Sequence, residues 1–237
     1  MSLLEAKGLS KHFGGVSALK DVEVHMNPGE TLGMIGPNGS GKTTFVNLVT
    51  GQLRADAGSL KFDSHDIRRR PSHELARLGL TRTYQAVRIF AGLTVQKNVD
   101  TACLLLAEHG LSTAELGELT AWLRLDHLLA KEASSLTLFE QRRLELLMRL
   151  TQRPKLIMLD EPVGGLAVTE VREMILLLQQ LKARTSIFVI EHTMRVIREL
   201  ADRVVVLMAG EKIADGPPAD ILRDKRVIEQ YLGTVHA

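Results

Sequence analysis

Two textures alternate along the chain. Residues 3–9, LLEAKGL, and 22–26, VEVHM, read as strands, and the turn Asn27-Pro28-Gly29 separates the second from another strand, TLGMI, at 31–35. A Gly-rich loop follows at once, and KTTFVNLVT (42–50) behind it reads as a helix closed by Gly51. Past Gly58, SLKF is a short strand. From about Val95 to Leu150 the spacing turns helical, in VQKNVDTACLLLAEHG, STAELGELTAWL and LFEQRRLELLMRL, until Arg153-Pro154 breaks it. Strand–helix alternation then resumes with LIMLD, a helix over Val168 to Ala183, SIFVI, a helix over Thr193 to Leu200, and VVVLM. Such alternation predicts a parallel sheet wrapped by helices. A helical insert therefore splits an α/β core, with boundaries near residues 83 and 154. No repeat or low-complexity tract interrupts the pattern.

Composition narrows this only slightly. At 237 residues, 45% hydrophobic and 24% charged, the chain describes an ordinary globule of one large domain or two small ones. Thirty basic and 28 acidic residues leave +2, too little to imply nucleic acid or an anionic surface as partner. Cys103 is alone, which excludes an internal disulfide and suits a reducing compartment. The start, MSLLEAKGLSKHF, does not read as a signal peptide, and apolar runs such as Val204 to Ala209 are too short to cross a bilayer. If the protein serves a membrane, it is expected to do so by contact, from the cytoplasm.

The candidate chemistry begins in the Gly-rich loop. GPNGSGKTT comprises Gly36, Pro37, Asn38, Gly39, Ser40, Gly41, Lys42, Thr43 and Thr44, and fits G-x-x-x-x-G-K-[ST] between a strand and a helix. Glycines let backbone N–H groups curl round phosphate oxygens, and the helix N-terminus adds a positive dipole. Lys42 is placed to reach β- and γ-phosphates and the Thr43 hydroxyl to ligate Mg²⁺. Downstream, LIMLDEP ends an apolar strand with Asp160 and Glu161, on the edge of the sheet where ligands gather. Asp160 is positioned to hold Mg²⁺ through water and Glu161 to polarise an attacking water; alone, the pair would read as a strand cap before Pro162. FVIEH repeats the geometry, so that His192 is either a sensor of the γ-phosphate or a surface turn residue. Gln85, in TRTYQAV, is either a polar linker residue or a group facing a metal ion.

Taken together these stretches resemble, over nearly the whole chain, the nucleotide-binding subunit of an ABC transporter. The resemblance implies an α/β fold: a P-loop NTPase core with a mostly parallel sheet, an N-terminal antiparallel β subdomain and an inserted α-helical subdomain. It implies one ABC ATPase domain over 1–237, with residues 1–82 and 155–237 as core and 83–154 as the helical signature part. Gly36 to Thr44 then corresponds to the Walker A loop, LIMLDE to Walker B, Gln85 to the Q-loop glutamine and His192 to the switch histidine. Phe13 falls where an aromatic ring stacks on adenine, unless it is a core residue of the first sheet. ATP and Mg²⁺ follow as cofactors, with Lys42, Glu161 and His192 catalytic and Thr43, Gln85 and Asp160 toward the metal. RTYQAVRIFAGLTVQKNV, EQRRLEL, IEHTM and GEKIADGPPADIL…VIEQYLG are similar to the ATPase subunits of importers of branched-chain amino acids and of related amides or urea. A prokaryotic importer is implied, with the chain peripheral on the cytoplasmic face of the inner membrane. Its implied partners are a second ATPase subunit, integral membrane permease subunits and, indirectly, a substrate-binding protein. Residues Gln85 to Val99 are candidates for contact with the membrane subunits, centred on Arg88, Ile89 and Phe90, or for ordinary packing within the insert.

Two stretches depart from the family. LTLFEQ (Leu136, Thr137, Leu138, Phe139, Glu140, Gln141) stands where the signature is usually L-S-G-G-Q or L-S-Y-G-E/Q-Q, and it places Phe139 on the glycine that approaches the γ-phosphate. A ring there adds bulk and disfavours any φ > 0 that the glycine supplies. In VGGLAV, Ala167 replaces the Asp or Asn that ends the D-loop. Both motifs act on the partner's ATP, so an asymmetric heterodimer is expected ahead of a homodimer, with drift tolerated in a working pair as the alternative. The competing functions are an ABC ATPase of lipid or lipopolysaccharide export and a nucleotide-binding module with impaired hydrolysis.

Overall fold

The computed structural model describes residues 2–104, 111–224 and 227. Ten strands and eight α-helices follow one another among them. The strands β1 (Leu4–Phe13), β2 (Val16–Met26), β4 (Ala57–Phe62) and β5 (His65–Asp66) form an antiparallel sheet in the order β2-β1-β4-β5. The strands β3 (Thr31–Ile35), β6 (Leu80–Arg82), β7 (Leu156–Asp160), β8 (Ser186–Ile190), β9 (Arg203–Met208) and β10 (Glu211–Gly216) form the second sheet, ordered β10-β9-β3-β8-β7-β6. Only β10 runs antiparallel there.

Every residue of β3, β7 and β8 is buried. This is why these stretches read as unbroken apolar runs: a parallel strand is covered on both faces. The helices α1 (Lys42–Val49), α2 (Ser72–Arg77), α3 (Val95–Leu104), α4 (Thr113–Trp122), α5 (Leu138–Leu150), α6 (Val168–Leu181), α7 (Met194–Leu200) and α8 (Pro218–Ile221) complete the chain. Two cores result. One joins the antiparallel sheet to α1 through Phe45, Phe62 and Phe188, and the other joins α3–α7 to the opposite face of the parallel sheet.

The expected elements are present with shifted ends. β1 runs on past Gly8 to Phe13, and α6 ends at Leu181, two residues before the predicted Ala183. α4 starts after Ser112, whose hydroxyl accepts from the Glu115 N–H while the Glu115 carboxylate accepts from the Ser112 N–H. α2, β5, β6 and β10 are additions; each is short or half-exposed and carries little periodic signal. Residues 105–110, in the predicted helix VQKNVDTACLLLAEHG, and the tail VIEQYLG beyond Val227 lie outside the described residues.

Candidate nucleotide site

Register brings the site together. Met34 of β3 pairs with Ile190 of β8, and Asp160 of β7 pairs with the same Ile190, so three loops leave the sheet at one level. Ligands of open α/β sheets bind beyond this edge. The first loop, Gly36 to Gly41, is tightly wound. A Cβ on Gly36 would lie 2.1 Å from the Leu207 carbonyl oxygen, and one on Gly41, at φ 105°, would lie 2.5 Å from that of Ala18. Neither position has room for a side chain.

α1 then starts at Lys42 with no side-chain cap and no acidic residue in its first turn. Its leading N–H groups are left to an anion, and the helix dipole adds positive potential there. Lys42 Nζ donates to the Gly36 carbonyl at 2.7 Å and to that of Pro37 at 2.9 Å, within reach of the same space. Burial holds its pKa below the ordinary lysine value, against the opposing pull of the Glu161 and Asp160 carboxylates.

Glu161 is the meeting point. Its Oε2 accepts from Gln85 Nε2 at 2.8 Å, and its Oε1 lies 2.7 Å from His192 Nε2. The residue sits at φ 49°, a left-handed conformation that a glutamate adopts only when its surroundings impose it, and its N–H donates to the Ile190 carbonyl. A cleft of about 380 Å³ is lined by Phe13, residues 38–44, Gln85, Glu161 and His192. Gln85 and His192 thus both line the cleft and meet at the Glu161 carboxylate. Phe13, 47% exposed at the end of β1 with Lys11 Nζ above its ring, is no core residue.

Asp160 stands differently from expectation. It does not line the cleft; its carboxylate is buried and its Oδ2 accepts from Arg82 Nη2 at 2.7 Å. Arg82, at the end of the three-residue β6, carries no sequence signal beyond being a cation three residues before Gln85. Glu191 directly precedes His192 and belongs to no motif of its own. It is buried, with Oε1 accepting from the Val163 N–H and Oε2 from those of His192 and Thr193, so it fastens the turn after Glu161 to the loop of His192.

The signature stretch corrects an expectation outright. Thr137 caps α5, its hydroxyl accepting from the Glu140 N–H while the Glu140 carboxylate accepts from the Thr137 N–H at 2.8 Å. Phe139 lies in the first turn of α5 with negative φ, so no left-handed conformation is required of it. Its ring is buried beneath Arg143, whose guanidinium carbon is 4.5 Å from the ring centroid. Helical phase turns 139 inward and leaves Leu138, 39% exposed, on the outer face. The ring adds no bulk to that face. Arg142, one turn on, donates to the Gly164 carbonyl at 2.6 Å and ties α5 to the turn after Glu161. Ala167 precedes α6 with no side-chain acceptor, and its N–H is taken by Glu170. Of the Gln85–Val99 stretch, Ile89 packs on the core, whereas Phe90 is exposed and the Arg88 guanidinium stacks on Tyr84 at 3.8 Å.

A strand–Gly-loop–helix cradle facing a glutamate held by Gln85 and His192 defines a P-loop nucleotide hydrolase. Comparison with known proteins narrows the class. The ABC transporter family model matches residues 19–164, and a model of the branched-chain amino acid ATP-binding cassette transporter matches 211–237. The high-affinity branched-chain amino acid transport ATP-binding protein BraF of Pseudomonas aeruginosa is 35% identical, over 98% of both chains. The probable branched-chain amino acid transport ATP-binding protein LivG of Archaeoglobus fulgidus is also 35% identical, over 98% of this chain and 96% of its own. A solved ATP-binding cassette of an ABC transporter in its ADP conformation superposes with a TM-score of 0.87 at 30% identity, covering 98% of this chain and 99% of the other. The chain belongs to the ABC transporter family, and it is an ATPase of the ABC type with that family's P-loop α/β fold. No helix among the described residues is long and apolar enough to cross a membrane.

Proposed function

We propose that the chain is the ATP-binding and hydrolysing subunit of a membrane importer for branched-chain amino acids or related small amides. The full-length likeness to BraF and LivG supports the substrate class. The observation that carries the chemistry is the convergence of Gln85 and His192 on Glu161 beside the Gly36–Thr44 loop.

In this reading the loop amides and Lys42 hold the phosphates of ATP, and Phe13 presents its exposed ring to the base. Thr43, Gln85 and Asp160 offer hydroxyl, amide and carboxylate oxygens, the donor type a hard divalent cation requires. Among the described residues no group of three His, Cys, Asp or Glu gathers as an all-protein metal site. This fits Mg²⁺, which takes one or two carboxylates and completes its shell with phosphate oxygens and water. When bound, Mg²⁺ neutralises the charge that develops on the phosphates. Glu161 accepts the proton of the attacking water. Gln85 and His192 hold its two oxygens in line, and His192, able to donate or accept, reports on the γ-phosphate.

Residues 83–154 form the helical part that carries the signature, between core portions 1–82 and 155–237. Phe90 and Arg88, exposed on the segment leading from Gln85, form the contact with the permease subunits, on the cytoplasmic face of the membrane; a substrate-binding protein acts at one remove. The second ATPase is a different chain. Ala167, at the end of the VGGLA stretch, has no side-chain group to hydrogen-bond across the pair. This half therefore serves the partner's ATP poorly while its own is capped by an intact signature.

The test is Glu161→Gln in the assembled transporter. Turnover should fall by roughly 10²–10⁴-fold, the range of general base catalysis, with ATP affinity retained, since an amide holds a water without accepting its proton. Wild-type turnover in that variant overturns the assignment. Native co-purification with a second ATPase and permease subunits, identified by mass spectrometry, tests the assembly; recovery of paired copies of this chain alone overturns the heterodimer.

A further inference from the structure

Arg82, which does not line the cleft, ties three of the segments around it together. Its guanidinium is buried between β7 and α1: Nη2 donates to Asp160 Oδ2 at 2.7 Å, and Nη1 donates to Asn47 Oδ1 at 2.5 Å and lies 3.5 Å from the Thr50 hydroxyl. Asn47 and Thr50 lie on and just after the helix that begins with Lys42. Above the guanidinium is the Tyr84 ring, 4.7 Å to the centroid, and the Tyr84 hydroxyl accepts from Gln52. Arg82 Nε is buried without a hydrogen-bond partner. The buried guanidinium is thus paired with a buried carboxylate, and burying either partner without the other would be costly.

We propose that Arg82 is the positioning residue for the Asp160 carboxylate, coupling it to the P-loop helix on one side and to the Gln85 segment on the other. The planar fork is what qualifies arginine for this. Two fixed donors reach two acceptors at a set angle, so the Asp160 rotamer follows the placement of β6 relative to α1. Thr83, Tyr84 and Gln85 follow Arg82 directly in the chain, so a displacement of that segment by a partner reaches Asp160 through one side chain. The proposal rests on the reading of Asp160 as a residue that serves Mg²⁺.

The experiment measures ATP binding to the full chain by calorimetry across a Mg²⁺ titration, with ATP binding in chelator as reference. Arg82→Lys keeps the charge and loses the fork. Its Mg²⁺ midpoint should rise about 10–100-fold, the usual cost of removing a partner behind a metal ligand, while affinity in chelator stays within about twofold. Asn47→Ala leaves the ion pair in place and frees the guanidinium from α1; a smaller rise in the same direction is expected. Asp160→Asn should abolish the Mg²⁺ effect. A midpoint unmoved in Arg82→Lys but lost in Asp160→Asn overturns the positioning role alone. If Asp160→Asn also leaves the midpoint unmoved, the metal reading fails and this inference with it. If Arg82→Lys does not fold, Asn47→Ala decides, and an unshifted midpoint there overturns the proposal.

Discussion

Helices α1 and α5 begin alike in sequence terms, with small and hydroxyl residues leading into an amphipathic run, yet their first turns are spent in opposite ways. α1 has a glycine cap, no acidic residue and a lysine folded over the loop. α5 satisfies its own leading amides through Thr137 and Glu140, and it buries Phe139 where α1 exposes Thr43. The difference teaches that a helix N-terminus is an anion site only if its sequence leaves the amides unclaimed. A capping box uses the amides and adds a negative charge of its own.

Three measurements test this contrast. The largest effect is expected at Phe139. Removing a buried ring costs about 3–5 kcal/mol, and glycine in a helix adds about 1 kcal/mol. Phe139→Gly should therefore lower the free energy of unfolding in urea by that order; a loss below about 1 kcal/mol would mean the ring is not part of the core. Ala167→Asn in the assembled transporter should raise ATP turnover per folded complex, and unchanged turnover counts against asymmetric sites.

Next comes Glu145, on the buried face of α5. Burial pushes its carboxyl up to about 7 from an ordinary 4.5, opposed by Arg149, by the N–H groups of Arg88 and Tyr84, and by Arg142. The folded state thus binds more protons than the unfolded chain between these two values. The stability this group contributes is full below the lower value and is lost as pH rises through the upper one, by up to ~3 kcal/mol. Burial raises the Glu191 carboxyl as well, and the sign is the same. Glu145→Gln should flatten the fall in thermal stability between about pH 5 and pH 8, measured by calorimetry; an unchanged slope removes Glu145 from the account.

The smallest of the three is Lys42→Ala. The loss of one charged hydrogen bond, about 1.5–3 kcal/mol, predicts roughly 10–100-fold weaker ATP binding by calorimetry. Unaltered affinity would leave α1 no better an anion site than α5.

Much of this molecule was legible beforehand, for reasons that are local. The P-loop is written in nine consecutive residues because glycine alone fits where the backbone crowds Leu207 and Ala18. β3, β7 and β8 announce themselves because strands covered on both faces are apolar but for one residue at an end, Thr31, Asp160 and Ser186. Their carboxyl ends therefore marked Asp160, Glu161 and His192 as candidates.

What the sequence could not decide were matters of phase and register between distant segments. Gln85 and His192 reach Glu161 from 76 and 31 positions away, and only the order β8-β7-β6 brings them to one carboxylate. Phe139 occupies a glycine's place in the motif, but the rotation of α5 about its axis, set by packing against the core, decides that the ring faces inward. Arg82 and Asp160 lie 78 positions apart in chain. Their pairing follows from two strands lying side by side and from the cost of burying either charge alone, quantities that exist only once the sheet has formed.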